Sequence, residues 1–293
     1  MAQTDERLRL DPMDSPPGAP GASAWERVQL ARHPGRPYTL DYIHALFDGF
    51  VELHGDRLFA DDAALVGGPA RFGDRTVMVI GHQKGRDTKD NARRRFGMPQ
   101  PEGYRKALRL MKQAEKFGFP VISFVDTPGA DPTLPSEERG QALAIATNLL
   151  EMSRLRTPTV SIIIGEGGSG GALAIALSDR VLMLENAIYS VVTPEGCASI
   201  LWKNASLAPD AAASMRITAE DIWKFGIVDG VIPEPQGGAH TDHAATADAL
   251  ARQLSETLEQ IDRLYGRAGA LDTERLLRDR HDRYRGIGVY HEA

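Results

Sequence analysis

The chain has 293 residues, with 34 Lys and Arg against 40 Asp and Glu and a formal charge of −6, a balance that argues against nucleic acid as its main ligand. Hydrophobic residues make up 42% and charged residues 25%, so the chain reads as globular with a sizeable core and not as disordered. One cysteine, Cys197, excludes an intramolecular disulfide and a zinc ribbon and suits a reducing cytoplasm; no apolar stretch reaches the length of a signal peptide or the roughly 20 residues of a membrane span.

Residues 1–23, with their run Ser15-Pro16-Pro17-Gly18, read as a mobile leader. Two helices are predicted next, over 24–32 and 39–53. In the second, Thr39 is a candidate cap, and Leu40, Ile43, Leu46, Phe47 and Phe50 share a face. Residues 64–85 read as two strands joined by a turn at 72–75. A basic loop follows, carrying Lys84, Arg86, Lys89, Arg93, Arg94 and Arg95; it is either a solvated face or an attractor of phosphates or an acidic protein.

From there the pattern alternates: helix 104–117, strand 120–126, a loop with a turn at Pro128-Gly129, helix 141–155, then strand 159–164. Strand 180–184, a short apolar stretch at 187–192, and helical patterns at 195–202 and 218–226 come next. Thr193 is a candidate cap before Pro194, and Thr218 with Asp221 forms a capping box closed by Gly226. Strand 227–232, a helix over 242–265 and a tail with seven arginines from Arg263 to Arg285, read as a surface helix free to pack on a partner, complete the pattern. Strands alternating with helices imply an α/β architecture. Cys197 reads as a small core residue.

The densest signal is residues 165–171, GEGGSGG, between an apolar strand and an apolar helical pattern. Glycine at five of seven positions implies main-chain amides brought close to something. Three motifs overlap there. Gly165, Gly167 and Gly170, with Glu185 twenty residues on, match the dinucleotide fingerprint, but the helix after them is two turns long and too apolar for a crossover. Gly167-x-Ser169-x-Gly171, with Asp229 and His240 or His243 downstream, matches the order of a serine hydrolase, although those histidines fall in a polar loop. The third reading needs no nucleophile: amides at a strand end and a helix N-terminus aim donors at one developing oxyanion. A purely structural tight turn is its alternative.

The blocks LARHPGRPYTLDYI, HGDRLFADD, GRDTKDNARRRFGMPQPEGYRKALRLM, FVDTPGADP, GEGGSGGALAIA, YSVVTPEGCASILW and IPEPQGGAH, in this order from about Trp25 to about Leu254, resemble the α subunit of bacterial acetyl-coenzyme A carboxylase carboxyltransferase. The resemblance implies a crotonase-like ββα spiral over residues 24–265, with helical extensions and an Arg-rich tail over 266–293. It implies transfer of a carboxyl group from carboxybiotin, borne on a biotin carboxyl carrier protein, to acetyl-CoA, giving malonyl-CoA for fatty acid synthesis in the cytoplasm. Gly170 and Gly171 would supply oxyanion amides for the biotin oxygen, with Gly167 and Gly168 as the second candidate pair. Ser169, Thr193, Pro194, Glu195, Gly196, Pro128 and Gly129 would line the site. A separate β subunit, in an α2β2 assembly, would carry the acetyl-CoA side and the zinc ribbon; no metal is expected in this chain. The family's longer charged N-terminal arm is replaced here by the short Pro/Gly-rich leader.

Overall fold

The computed structural model describes residues 22–267 and 270–288, so the leader as far as residue 21 and the last five residues of the tail lie outside the described part. In chain order the elements are α1 (Ala24–Ala31), α2 (Thr39–Leu46), β1 (Leu65–Phe72), β2 (Arg75–His82), α3 (Thr88–Arg93), α4 (Pro101–Phe117), β3 (Val121–Thr127), α5 (Leu134–Glu138), α6 (Gln141–Ser153), β4 (Thr159–Gly168) and α7 (Ser169–Ala176). Then come β5 (Arg180–Leu184), β6 (Ile188–Ser190), α8 (Pro194–Trp202), α9 (Ala208–Met215), α10 (Ala219–Lys224), β7 (Gly230–Ile232), α11 (His243–Tyr265), the short pair β8 (Gly266–Arg267) and β9 (Ala270–Leu271), and α12 (Thr273–Arg285).

The main sheet has the order β1-β2-β3-β4-β5-β7, antiparallel between β1 and β2 and parallel elsewhere, with β6 added against the far end of β4. A parallel strand covered on both faces reads as a continuous apolar run, which is why β3 and β4 are buried at every residue. The faces can be told apart at two glycines. A Cβ on Gly67 would meet Leu110 of α4 at 2.8 Å, and one on Gly81 would meet Thr39 of α2 at 2.5 Å. Gly67 is opposite Ile80, and Gly81 opposite Val66, so the two glycines face opposite sides of the sheet and α4 and α2 cover opposite faces. No helix among the described residues is long and apolar enough to cross a membrane.

The strand pattern agrees with the sequence reading, but the helix predicted over 39–53 ends at Leu46. Asp48 and Arg71 exchange main-chain hydrogen bonds at 2.9 and 2.8 Å, and Val51 and Leu53 donate to Pro69 and Gly67, so this stretch pairs along β1 instead of continuing the helix. Nor does Thr39 cap α2: its hydroxyl is used on the His82 carbonyl, and the Asp41 carboxylate accepts the Tyr38 N–H at 2.7 Å. Thr193 does cap α8, accepting Gly196 N–H at 3.1 Å, and Thr218 caps α10 by accepting the Asp221 N–H, with Gly226 at φ +70° beyond it. Cys197 is half-buried on α8, not in the core.

The Arg-rich tail reads from sequence as a surface helix, yet α12 is anchored to the chain's own centre. Leu276 and Arg280 are buried. The five N–H groups of the Arg280 guanidinium meet five acceptors: both Asp179 carboxylate oxygens and the carbonyls of Met152, Leu155 and Thr157. These carbonyls run from the last turn of α6 to the residues just before β4, so Arg280 holds the start of β4. Replacing Arg280 with Met leaves Asp179 buried without its cation and should cost about 3–5 kcal/mol, measured by urea unfolding.

Candidate active site

The site is built where β4 stops. From Val125 to Thr127, β3 advances two residues while β4 advances four, from Ile163 to Gly167, so β4 carries a two-residue bulge. The bulge removes main-chain groups from the ladder, and charged side chains take them up. The Glu166 N–H donates to Asp126 Oδ1 at 3.0 Å, and the Ile164 carbonyl accepts Arg36 Nε at 2.6 Å. Arg36 is itself buried and paired with the buried Glu234, which also accepts from Asn186. Beyond the bulge, residues 166–168 pair with β6, and Ser169, at φ +53°, turns the chain into α7.

The glycines of the turn serve close approach as well as any donor role. A Cβ on Gly165 would fall on the Asp126 carboxylate, and one on Gly168 on the Pro128 carbonyl. On Gly171 it would lie 2.5 Å from Ala130 N and 2.6 Å from Gly129 C, so the backbone after Pro128 packs directly on the first turn of α7. Only around Gly170 is there ordinary room, with the Ile145 methyl carbon at 3.6 Å. Gly167 and Gly168 belong to the β4–β6 ladder, whereas Gly170 and Gly171 lie in the first turn of α7.

Helix α7 is treated differently at its two ends. Near its C-terminus the Ala174 carbonyl accepts Asn148 Nδ2 at 3.0 Å, and the Ile175 carbonyl accepts the hydroxyls of Ser123 and Ser161 at 2.6 and 3.2 Å. At its N-terminus the cap position, Gly168, has no side chain to offer, and first-turn N–H groups have no acceptor within a helix. Among the described residues, no side chain caps this end and no main-chain carbonyl outside the helix accepts from Gly170 or Gly171, whose N–H groups lie at the positive end of the helix dipole. Sequence reasoning missed Asn148, Ser123 and Ser161, although a lone serine at the third position of each of two apolar strands was the available sign.

A run of charges braces the bulge from beneath. Lys84 Nζ donates to Asp126 Oδ1 at 2.6 Å and Glu166 Oε2 at 3.1 Å; Arg32 Nε donates to Glu166 Oε1 at 2.7 Å, and Arg32 Nη1 to Glu195 Oε1 at 2.6 Å. Burial raises the carboxyls of Glu166 and Glu234, but the cations outweigh it, and both are held below the ordinary 4.5, Glu166 by Lys84 and Arg32 and Glu234 by Arg36. Burial pushes His82, beside this network, down to about 3, so its imidazole is neutral.

Lys84 therefore does not stand with the surface cations expected of the basic loop, because its charge is consumed inside. Arg94 is likewise mostly covered and donates to the Ala63 carbonyl at 2.9 Å, while the other four remain outside and most are tied. Arg86 pairs with Asp41 and lies 3.9 Å over the Tyr38 ring, Arg93 and Arg94 share Asp90, and Arg95 is 3.8 Å from Asp131. Lys89 is exposed on α3. Arg32, Asp126, Glu166 and Glu234 were not singled out from the sequence; a carboxylate set among strand glycines was the only signal.

Neither competing motif is assembled. Glu185 is buried and accepts the Glu234 N–H at 3.1 Å, so it offers no ribose partner, and α7 is only eight residues long. Asp229 is occupied by the Val181 N–H and Arg283, His243 Nε2 contacts the Gly35 carbonyl at 2.7 Å, and His240 stacks on His33. None of these is hydrogen-bonded to Ser169. A cleft lined by Arg32, Pro128, Glu166, Gly167, Gly168, Ile188, Ser190 and Thr193 has room for about one water molecule. Pro194, Glu195 and Gly196 form the first turn of α8 behind Thr193.

Residues 21–288 match the family described as acetyl co-enzyme A carboxylase carboxyltransferase-like. The chain is 58% identical over 268 residues to the acetyl-coenzyme A carboxylase carboxyl transferase subunit alpha of Listeria innocua, covering 92% of this chain and 82% of that protein. It is 58% identical over 266 residues to the protein of the same name in Halorhodospira halophila, covering 91% and 81%. Among solved structures it is similar to a Pseudomonas malonate decarboxylase hetero-tetramer in complex with coenzyme A, with TM-score 0.63, 18% identity, and coverage of 84% of this chain and 95% of that one. It also resembles transcarboxylase 12S, with TM-score 0.60, 21% identity and 78% of this chain covered, but spans only 44% of that chain's length. The structural likeness establishes the fold, which is the crotonase-like one.

Two outcomes are expected. Because Glu166 and Glu234 titrate below 4.5 when folded, their stabilisation is complete above the unfolded value and is lost as pH falls. The urea midpoint should hold between about pH 7 and 5.5 and fall below pH 4.5, less steeply in Glu166→Gln. Gly168→Ala should cost about 3 kcal/mol by overlap with Pro128, while Gly170→Ala should change unfolding free energy by no more than about 1 kcal/mol.

Proposed function

The chain belongs to the acetyl co-enzyme A carboxylase carboxyltransferase-like family and is a carboxyltransferase subunit, and on that premise we propose that the end of β4 with the start of α7 is where the transferred carboxyl group changes carrier. The observation that carries this reading is the asymmetry of α7, with carbonyls satisfied by Asn148, Ser123 and Ser161 and the Gly170 and Gly171 donors uncapped.

Carboxybiotin, presented by a biotin carboxyl carrier protein, supplies the carboxyl group destined for acetyl-CoA, and its ureido oxygen gains negative charge as that group departs. The Gly170 and Gly171 N–H groups are the donors that would stabilise this charge, an effect of about 3 kcal/mol or more per donor where oxyanion holes have been dissected. Main-chain donors fixed in a packed turn need no reorganisation, and the ion network keeps them fixed. The neighbouring cleft, lined by Gly167, Gly168 and Thr193, has room for about one water-sized group, so the rest of the prosthetic group would lie across the surface near Thr193 and Pro194.

The name of the relatives, subunit alpha, points to a β subunit as partner. In the proposed assembly that subunit binds acetyl-CoA and the complex is α2β2. The exposed cations Arg86, Lys89, Arg93 and Arg95 are a candidate landing surface for phosphates or for the carrier protein, weakened by the carboxylates that already pair three of them.

Mixed with a β subunit, the chain should catalyse malonyl-CoA-dependent carboxylation of free biotin, and the absence of activity in a well-formed complex would reject the reading. Ser169→Ala should keep kcat/KM within about threefold, since its Cβ and backbone remain while only the hydroxyl is lost. A fluorophosphonate should leave Ser169 unlabelled; labelling would restore the serine hydrolase reading.

A further inference from the structure

The cleft beside the glycine turn is lined by Glu166 of β4, with Gly167 and Gly168, and by Thr193, the cap of α8. Glu195, two residues after Thr193 in the first turn of α8, lies outside the lining. Arg32, which follows the last turn of α1, reaches both. Its Nε meets Glu166 Oε1 at 2.7 Å, and its Nη1 and Nη2 meet the two oxygens of Glu195 at 2.6 and 3.3 Å. Arg32 also lines the cleft.

The two contacts differ in stiffness. The Glu166 side chain is 8% exposed and shares Lys84 with Asp126, whereas Arg32 and Glu195 are 30% and 38% exposed. Across Glu195, Arg32, Glu166, Lys84 and Asp126 there are three carboxylates and two cations. Removing Arg32 takes away the cation that Glu166 and Glu195 share, leaving Glu166 with Lys84 and setting two like charges against each other. A planar guanidinium holds two carboxylates at a set separation through a rigid fork of donors, which a lysine ammonium cannot do.

We propose that Arg32 is a positioning residue for carboxyl transfer: a strut that sets the gap between the glycine turn and the N-terminus of α8. The inference rests on the functional reading above. It makes Arg32 act on the placement of the Gly170 and Gly171 donors relative to the α8 wall, and not on the reacting atoms. A displacement of about 1 Å at such donors is enough to cost about 100-fold in rate.

The test uses the complex with the β subunit. Arg32→Gln should lower kcat about 30-fold while KM for malonyl-CoA stays within about twofold, and Arg32→Lys should recover less than about a third of the loss. The double variant Arg32→Gln/Glu195→Gln removes the repulsion along with the strut, and should be about threefold or more faster than Arg32→Gln alone. Independently of activity, amide exchange in residues 165–173 and 191–199 should accelerate at least about tenfold in Arg32→Gln, with the β1–β2 hairpin unchanged.

Wild-type kcat in Arg32→Gln with unaltered exchange, or a double variant slowed by the product of the single effects, would overturn the strut. If the wild-type complex carries no biotin carboxylation, the functional reading falls, while the exchange measurement still decides whether Arg32 sets the gap.

Discussion

Two surplus residues in β4 are the constraint from which the site follows. A parallel ladder satisfies the main-chain groups of a buried strand, and a bulge takes some of them away. Here the Glu166 N–H and the Ile164 carbonyl are recovered by a carboxylate and a guanidinium, not by neighbouring backbone. Each of these charges needs its own partner in turn, because an isolated buried charge is costly. Asp126 recruits Lys84, and Arg36 recruits Glu234. The ion network is thus the consequence of a backbone irregularity, and that irregularity turns the strand toward α7.

The glycine turn answers two demands at once. Side-chain carbon is excluded at 165, 168 and 171 because Asp126, Pro128 and the 129–130 backbone come too close. The same absence of side chain leaves α7 uncapped at its N-terminus. At its other end, polar side chains from β3, β4 and α6 satisfy the carbonyls. A two-turn apolar helix of this length would not persist in water on its own, so its orientation is set by those buried contacts. Close packing at the turn and the lack of a side-chain cap on α7 therefore have one origin.

Segments far apart in sequence hold β4 at both ends. Arg36, from the stretch before α2, fixes the bulge, and Arg280, from α12, fixes the residues leading into the strand. Both guanidiniums are buried and paired with a carboxylate. A long strand ending in a tight glycine turn gains precision from being fixed in this way, since any slip along β4 would carry the turn with it.

Much of this was legible in the amino-acid order. Apolar runs and their spacing marked the strands and most helices, Thr193-Pro194 and Thr218-Asp221 marked two helix starts, and the glycine cluster between strand and helix located the turn. Seven blocks matched one family in order. Local pattern reaches this far because periodicity, caps and turns are decided by neighbouring residues. The pairing of 48–53 with β1, the burial of Lys84 and Arg280, the bulge, and the contacts of Arg32 with both Glu166 and Glu195 all depend on residues that meet only after the chain has packed. In sequence these cations look like solvated surface charge. Which of them carries structure is settled by which carboxylates the sheet leaves beside them, and by the high cost of leaving either one buried alone.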